Sequence, residues 1–407
     1  MPAIPIWDRS IWSVDGLLTV IPMATIQLDD ERAARRLSET ARAALGDPDS
    51  IVPTQFWRML DDGRVQCEMC PRYCKLKEGG RGLCFVRARL DDQIVLTTYG
   101  RSSGFCVDPV EKKPLNHFLP GSAILSLGTA GCSLACNFCQ NHDISRSREM
   151  DILQDRASPE TVARAAAELG CRSVAFTYND PTIFHEYAAD IAEACHERGI
   201  RTVAVTAGYL TDWSRPAFFA GIDAANVDLK GFTDDFYKSV TKAALGPVLD
   251  TLVYLKAETD VWVEVTNLLI PGLNDMDREI DEMTTWFVEH LGPDTPLHFS
   301  AFRPDYRMRD RPPTRHDRLI RAYGIAKRNG IRHVYLGNVL DGARQSTYCH
   351  GCGEEVIGRT GYTIGRWHLD DAGHCLSCGT ELSGIFDGPA GSWGARRQPV
   401  DLSAYAE

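Results

Sequence analysis

From about residue 123 to residue 338 the chain repeats one texture, a short apolar run followed by a longer amphipathic segment. The runs are Ala123–Leu127, Ser173–Thr177, Thr202–Thr206, Ala224–Leu229, Trp262–Leu269, Leu297–Ala301 and His333–Leu336. Helical spacing fills the gaps, for example over Pro159–Leu169, Ile183–Arg198 and Asp275–Leu291. Strands apolar on both faces, alternating with helices, predict a parallel sheet covered by helices. Six or seven such units predict an α/β fold, a partial (β/α)6-type barrel over residues 123–340. A doubly wound open sheet is the competing arrangement. In a barrel, chemistry sits at the C-terminal ends of the strands, so polar residues there are the first candidates.

The flanks read differently. Residues 1–59 are an N-terminal extension with a helix predicted over 24–46, stopped by Gly46-Asp47-Pro48. Residues 60–122 are a cysteine-rich lead-in, irregular to about 90 and then mostly turns and extended chain. Residues 341–385 are short, glycine-rich and cysteine-paired, and the 386–407 tail has a composition expected to be poorly ordered. The apolar stretch Ile11–Met23 is interrupted by Asp15 and lacks a basic lead, so it does not read as a signal peptide. Met23 offers an alternative start. No run of about 20 apolar residues predicts a membrane span. The net charge of −11 argues against nucleic acid as a partner.

Fourteen cysteines change this picture most. Tight pairs in a long chain without a secretion signal indicate metal ligation in a reducing, cytoplasmic compartment rather than a disulfide scaffold. Cys349-x2-Cys352 and Cys375-x2-Cys378, each followed by glycine, have the spacing of a zinc ribbon with four thiolates. Cys67, Cys70, Cys74 and Cys84 offer a second quartet, for zinc or a second cluster. Lys75, Lys77, Arg81 and Arg87 lie beside it to offset its charge. Cys106, Cys171 and Cys195 fit no group; Cys171 and Cys195 read as packing residues, while Cys106 lies on the approach to the active face, where a redox role is the alternative.

The central group is incomplete. In Gly128-Thr129-Ala130-Gly131-Cys132-Ser133-Leu134-Ala135-Cys136-Asn137-Phe138-Cys139, three cysteines follow the first predicted barrel strand. Three thiolates on a four-iron cubane leave one iron open, whereas an electron-transfer cluster brings four cysteines. Zinc is the competitor, with His142 or a distant residue as fourth ligand. The triad and the Phe138 before its last cysteine look like the radical S-adenosylmethionine (SAM) superfamily. With Val107–Gly121, Phe176–Phe184, Asp228-Leu229-Lys230, Leu269–Asp275 and His298-Phe299-Ser300, residues 60–385 resemble the AmmeMemoRadiSam-system radical SAM proteins. These are relatives of pyruvate formate-lyase activating enzymes.

That resemblance implies a [4Fe-4S] cluster on Cys132, Cys136 and Cys139. It implies reductive cleavage of SAM to a 5′-deoxyadenosyl radical, and hydrogen abstraction from a substrate. It further implies SAM contacts from Phe138, Thr177, Asn179, Asp180, Asp228, Lys230 and His298, and Thr206 and Asn267 are added as polar residues late in predicted strands. The bland readings are a helix cap for Asn179 or Asp180, an ion pair for Asp228 and Lys230, and a structural strand histidine for His298. The expected partners are an electron donor such as flavodoxin or ferredoxin and a protein or peptide substrate. His117, Arg303, Asp305, Tyr306 and Arg309 are candidates to line its cavity. A glycyl-radical-enzyme activase is the alternative enzyme, and a zinc-binding interaction protein the alternative without catalysis.

Overall fold

The computed structural model describes residues 47–147, 153 and 155–406, all within one compact unit. The helix expected over 24–46 and the apolar stretch 11–23 lie outside the described residues.

Among the described residues the central sheet has nine strands. They are β1 (Phe105–Pro109), β2 (Ala123–Leu127), β3 (Ser173–Phe176), β4 (Arg201–Thr206), β5 (Ala224–Asp228), β6 (Trp262–Leu269), β7 (Leu297–Ala301), β8 (Val334–Gly337) and β9 (Gln398–Val400). Their order is β8-β7-β6-β5-β4-β3-β2-β1-β9. Strands β2 to β8 are parallel and neighbour one another in chain order. A doubly wound sheet reverses its order at a switch point; this one does not. Every residue of β2 and β3 is buried, as expected of strands covered on both faces.

Helices α1 (Pro159–Glu168), α2 (His185–His196), α3 (Gly246–Glu258), α4 (Asp277–Leu291) and α5 (His316–Arg328) lie between the parallel strands. Local chemistry sets their ends. Ser158 caps α1 by accepting from the Thr161 amide at 3.2 Å, and Pro159 supplies the first helical residue. The buried face of α1 is Val162, Ala163, Ala165 and Ala166, small enough to bring α2 close beside it.

Two segments depart from expectation. The lead-in is not irregular. Trp57–Met59, Val65–Cys67 and Lys75–Leu76 form one antiparallel sheet, and Val52–Pro53, Gln93–Leu96 and Arg87–Leu90 another. Cysteine-bearing turns here sit on hairpins. Within the tail, β9 adds antiparallel to β1, pairing Val400 with Phe105. A Gly- and Pro-rich tail builds no core of its own, but an open sheet edge supplies its hydrogen bonds.

Thr347–Tyr348, Glu355–Thr360 and Thr363–Trp367 form a small sheet over a separate apolar cluster that includes Cys349, Val356, Leu369 and Cys375. A buried hydrogen-bond chain joins it to the central sheet. His117 Nδ1 lies 2.7 Å from the Ser383 carbonyl, which only accepts, so Nδ1 carries the proton. His117 Nε2 then accepts from the Tyr335 hydroxyl at 2.6 Å. Tyr335 in turn meets Thr347 Oγ1 at 2.7 Å, and Arg359 Nη1 donates to that same oxygen at 2.7 Å. Burial pushes His117 down to about 4, so the ring is neutral at pH 7 and the chain holds one direction. No described helix is long and apolar enough to cross a membrane.

Candidate active site

Parallel strands bring their C-terminal ends to one edge, and a cavity of about 280 Å³ lies there. The loop after β2 contributes Cys132, Cys136, Phe138 and Cys139. Thr177, Asn179 and Asp180 follow β3, Asp228 and Lys230 close β5, and Thr266, Ser300 and Asn338 come from β6, β7 and just beyond β8. Laid flat, β3 and β8 would stand about 24 Å apart at about 4.8 Å per strand. A single cavity that touches both requires the sheet to curl around it.

The cysteine loop has few backbone groups left free. Its Gly131 amide donates to Ile144 O at 3.1 Å, and the Ala135 and Asn137 amides donate to Thr241 and Val240 carbonyls at 3.0 Å. The last two sit on a single π-helical turn, Tyr237–Thr241. Asn179 Nδ2 donates to Gly131 O at 2.7 Å, and its Oδ1 accepts from the Thr129 amide at 3.2 Å. Asp180 caps the turn Pro181–Phe184, accepts from Ser133 Oγ at 2.7 Å and from Thr206 Oγ1 at 2.8 Å. Each such bond contributes about 1 kcal/mol net, so several together fix the loop.

Burial pushes the Cys132 thiol up to about 11, with nearby Asp180 adding to it. Burial also pushes Cys136 up to about 12, against the pull of Lys230. Thiols that high keep their protons at neutral pH unless a metal displaces them. Their sulfur spacing bears on which metal. Among the described residues, two groups bring three or more candidate ligand atoms within 4.8 Å of one another: Cys349, Cys352, Cys375 and Cys378, and Asp294, His333 and His350. The triad is in neither. Thiolates on separate irons of a cubane need a wider spread than thiolates around one ion, so the triad fits a cluster better than zinc.

Asp228 and Lys230 pair across 2.9 Å at the cavity wall. Burial works against the Lys230 charge, but the Asp228 carboxylate offsets it and holds the ammonium protonated. The ammonium lies 5.8 Å from the Phe138 ring centre.

Three predicted contacts are not on this cavity. Thr206 stands behind Asp180. Asn267 Nδ2 donates to Leu229 O at 2.6 Å and braces β5 against β6. His298 opens on an adjoining cavity of about 450 Å³ that shares Gln140, Ser300 and Asn338 with the first. Its Nε2 lies 2.7 Å from Glu264 Oε2. Wholly buried, Glu264 also accepts from the Asn116 and His117 amides, and these partners hold it ionised against its burial. Sequence reasoning missed Glu264, although a lone carboxylate inside the apolar run 262–269 is a visible signal. Asp294, His333 and His350 had no such signal, being far apart in the chain. Of the residues expected to line a substrate cavity, Arg303 lines the adjoining one; His117 is buried in the hydrogen-bond chain, and Asp305, Tyr306 and Arg309 line neither cavity.

The C-terminal segment contributes Arg359 and Tyr362 to that adjoining cavity, and the lead-in contributes Glu111 and Lys112. Burial pushes Glu111 up to about 7, against nearby Arg359. Glu111 Oε1 accepts from the Gly121 amide at 2.7 Å, whereas Oε2 is buried without a partner. The unfolded chain ionises Glu111 near pH 4.5, while the fold retains its proton until about 7. Stability is therefore full below about pH 4.5 and declines as pH rises to 7. Glu111→Gln removes this decline. Above pH 7 the variant is expected to be more stable by up to about 3 kcal/mol, and at pH 4 to match the parent. Denaturant melts at several pH values check it; equal gains at pH 4 and 8 would count against the buried proton.

Comparison with known proteins places this arrangement. The profile of the Radical SAM superfamily matches residues 126–284. An uncharacterized protein of Methanocaldococcus jannaschii is 38% identical over 328 residues, 80% of this chain and 97% of that protein. The chain belongs to the radical SAM superfamily. A pyruvate formate-lyase-activating enzyme of Clostridium pasteurianum is 25% identical, over 38% of this chain and 64% of that enzyme. A solved radical SAM methyltransferase from Sphaerobacter thermophilus aligns with 74% of this chain and 82% of its own at a TM-score of 0.42 and 18% identity. The superfamily is enzymatic, and membership implies SAM and a [4Fe-4S] cluster. In this radical SAM domain the matched span begins in β2 and covers the triad, the Asn179–Asp180 turn and the Asp228–Lys230 pair.

Proposed function

We propose that this chain is a radical SAM enzyme that holds a [4Fe-4S] cluster on Cys132, Cys136 and Cys139. On this reading it abstracts hydrogen from a substrate seated in the adjoining cavity. The observation that carries it is a cavity lined by three spread cysteines with no fourth, together with a charged Asp228–Lys230 pair on its wall. When bound, the cluster supplies the electron that breaks the sulfonium C–S bond of SAM. The chain's own residues position and enclose. Lys230 suits a carboxylate, Asp228 suits ribose hydroxyls, and Phe138 offers an apolar face 5% exposed. Asn179, Asp180 and Thr206 act through the cysteine loop that they brace.

Several finer readings go with this. The curled sheet supports a partial (β/α)6-type barrel. The motifs over residues 60–385 support membership of the AmmeMemoRadiSam group. In the C-terminal quartet, sulfur pairs 3.6 and 3.7 Å apart suit zinc, because four thiolates at about 2.3 Å from one ion lie about 3.8 Å apart. The enzyme then works in the cytoplasm with a flavodoxin- or ferredoxin-type donor, on a peptide or protein substrate. The likeness to an activating enzyme favours a glycyl-radical activase as second reading, separable by whether a glycyl radical appears on a partner protein.

The test is anaerobic reconstitution with iron and sulfide, then dithionite and SAM. 5′-Deoxyadenosine and methionine are the expected products; neither forming from a reconstituted chain would overturn the proposal. Lys230→Met is expected to leave iron content unchanged and to weaken SAM binding about tenfold to a hundredfold, the loss of one charge-assisted hydrogen bond. Equilibrium dialysis with labelled SAM reads this directly.

A further inference from the structure

Cys67, Cys70, Cys74 and Cys84 line one small pocket together with Arg72, Arg87 and Ser133. No three of these sulfurs lie within 4.8 Å of one another, whereas the C-terminal quartet of this same chain gathers all four. A Cβ built on Gly82 would stand 3.5 Å from the Cys84 sulfur and 3.8 Å from the Cys74 sulfur, so this glycine lies against the pocket. Four ligands around one zinc would draw together as the C-terminal quartet does. Four ligands on the corners of a cubane stay apart.

The pocket also calls for an anion. Arg87 is 1% exposed and spends its Nε on Ile183 O and its Nη2 on Glu186, but its Nη1 has no partner. Arg72 Nη2 is buried and unpartnered as well, while its Nε donates to Ser133 O at 2.8 Å. Two buried N–H groups without acceptors, both on residues of one cysteine-lined pocket, are costly unless something there accepts from them. Inorganic sulfide and thiolate sulfur do so.

We propose that Cys67, Cys70, Cys74 and Cys84 hold a second, four-iron cluster that passes electrons to the triad site. The two sites touch through the backbone. A Cβ on Gly131, the residue before Cys132, would lie 1.8 Å from the Cys84 carbonyl oxygen. Arg72 reaches across to Ser133, the residue after Cys132. Cys67 and Cys84 are buried while Cys70 and Cys74 are half-buried, so the site has an inner and an outer side. One electron from a low-potential protein donor reduces this cluster; passing it inward returns the cluster to its resting state, with no bond made or broken and no proton moved. The relay role rests on the SAM-cleaving reading of the triad, and the cluster itself does not.

The experiment is metal and sulfide analysis of the full chain after anaerobic reconstitution with iron, sulfide and zinc, with Mössbauer and electron paramagnetic resonance spectra. The expected content is about eight irons and about one zinc per chain. A triple Cys132→Ala, Cys136→Ala, Cys139→Ala variant should keep about four irons and a reduced-cluster signal that SAM does not perturb. Cys67→Ala with Cys70→Ala should keep about four irons whose signal SAM does perturb. About four irons and two zincs in the parent, with all iron lost from the triple variant, would overturn the second cluster. About four irons in the parent that survive in the triple variant would support it and overturn the triad reading instead.

Discussion

Replacing Cys136 by alanine is expected to abolish 5′-deoxyadenosine formation, to the level of a mixture lacking protein. Cys136 is 8% exposed and lies between the two other sulfurs of its loop in sequence. Its loss leaves two thiolates for a cubane that is already one ligand short. Ser145 Oγ, 3.0 Å from Cys139, offers only a hydroxyl in its place. Iron content should fall by about four per chain. The fold should barely notice, since exchanging one buried sulfur for a hydrogen costs about 1 kcal/mol. Melting of the metal-free chain therefore separates loss of chemistry from loss of structure. A Cys136→Ala protein that keeps its iron and still makes 5′-deoxyadenosine would refute the assignment of the triad.

The same contrast between site and scaffold explains what could be read from the residues. The predicted strands match the observed ones to within a residue or two, because a sheet buried on both faces leaves an unbroken apolar signature: 224–229 was expected and Ala224–Asp228 is found. The partners of polar side chains were harder. Asn179 and Thr206 both lie at strand ends, yet one turns to the carbonyl of Gly131 and the other to Asp180. Proximity to a strand end does not say whether a side chain faces ligand or loop, and an unpaired backbone carbonyl competes for each donor. His298 shows this across the sheet. Glu264, on the neighbouring strand, holds its imidazole on the side of the second cavity. The tail shows the limit of composition, which reports whether a segment can build a core but not whether an open edge awaits it.

Gly131→Ala is expected to be the most damaging change that touches no ligand. Gly131 has φ +79°, a left-handed conformation that costs a non-glycine residue about 1 kcal/mol or more. Its added Cβ would stand 1.8 Å from the Cys84 carbonyl oxygen and 2.9 Å from the carbon. Both atoms are backbone, so no side-chain rotation relieves the clash, and overpacking adds about 1–3 kcal/mol more. Gly170→Ala is the control: φ is +69° there, with nothing within 4 Å of the new Cβ. It should cost about 1 kcal/mol through conformation alone. Gly131→Ala should lose about 3 kcal/mol or more, and should lower the iron bound at both cysteine groups together, since the one contact positions Cys84 and Cys132. Equal melting temperatures for the two variants, with iron content intact, would mean that the two loops yield independently. Unequal ones would mean that the close approach of these backbones, which only a glycine permits, is what holds the two cysteine sites side by side.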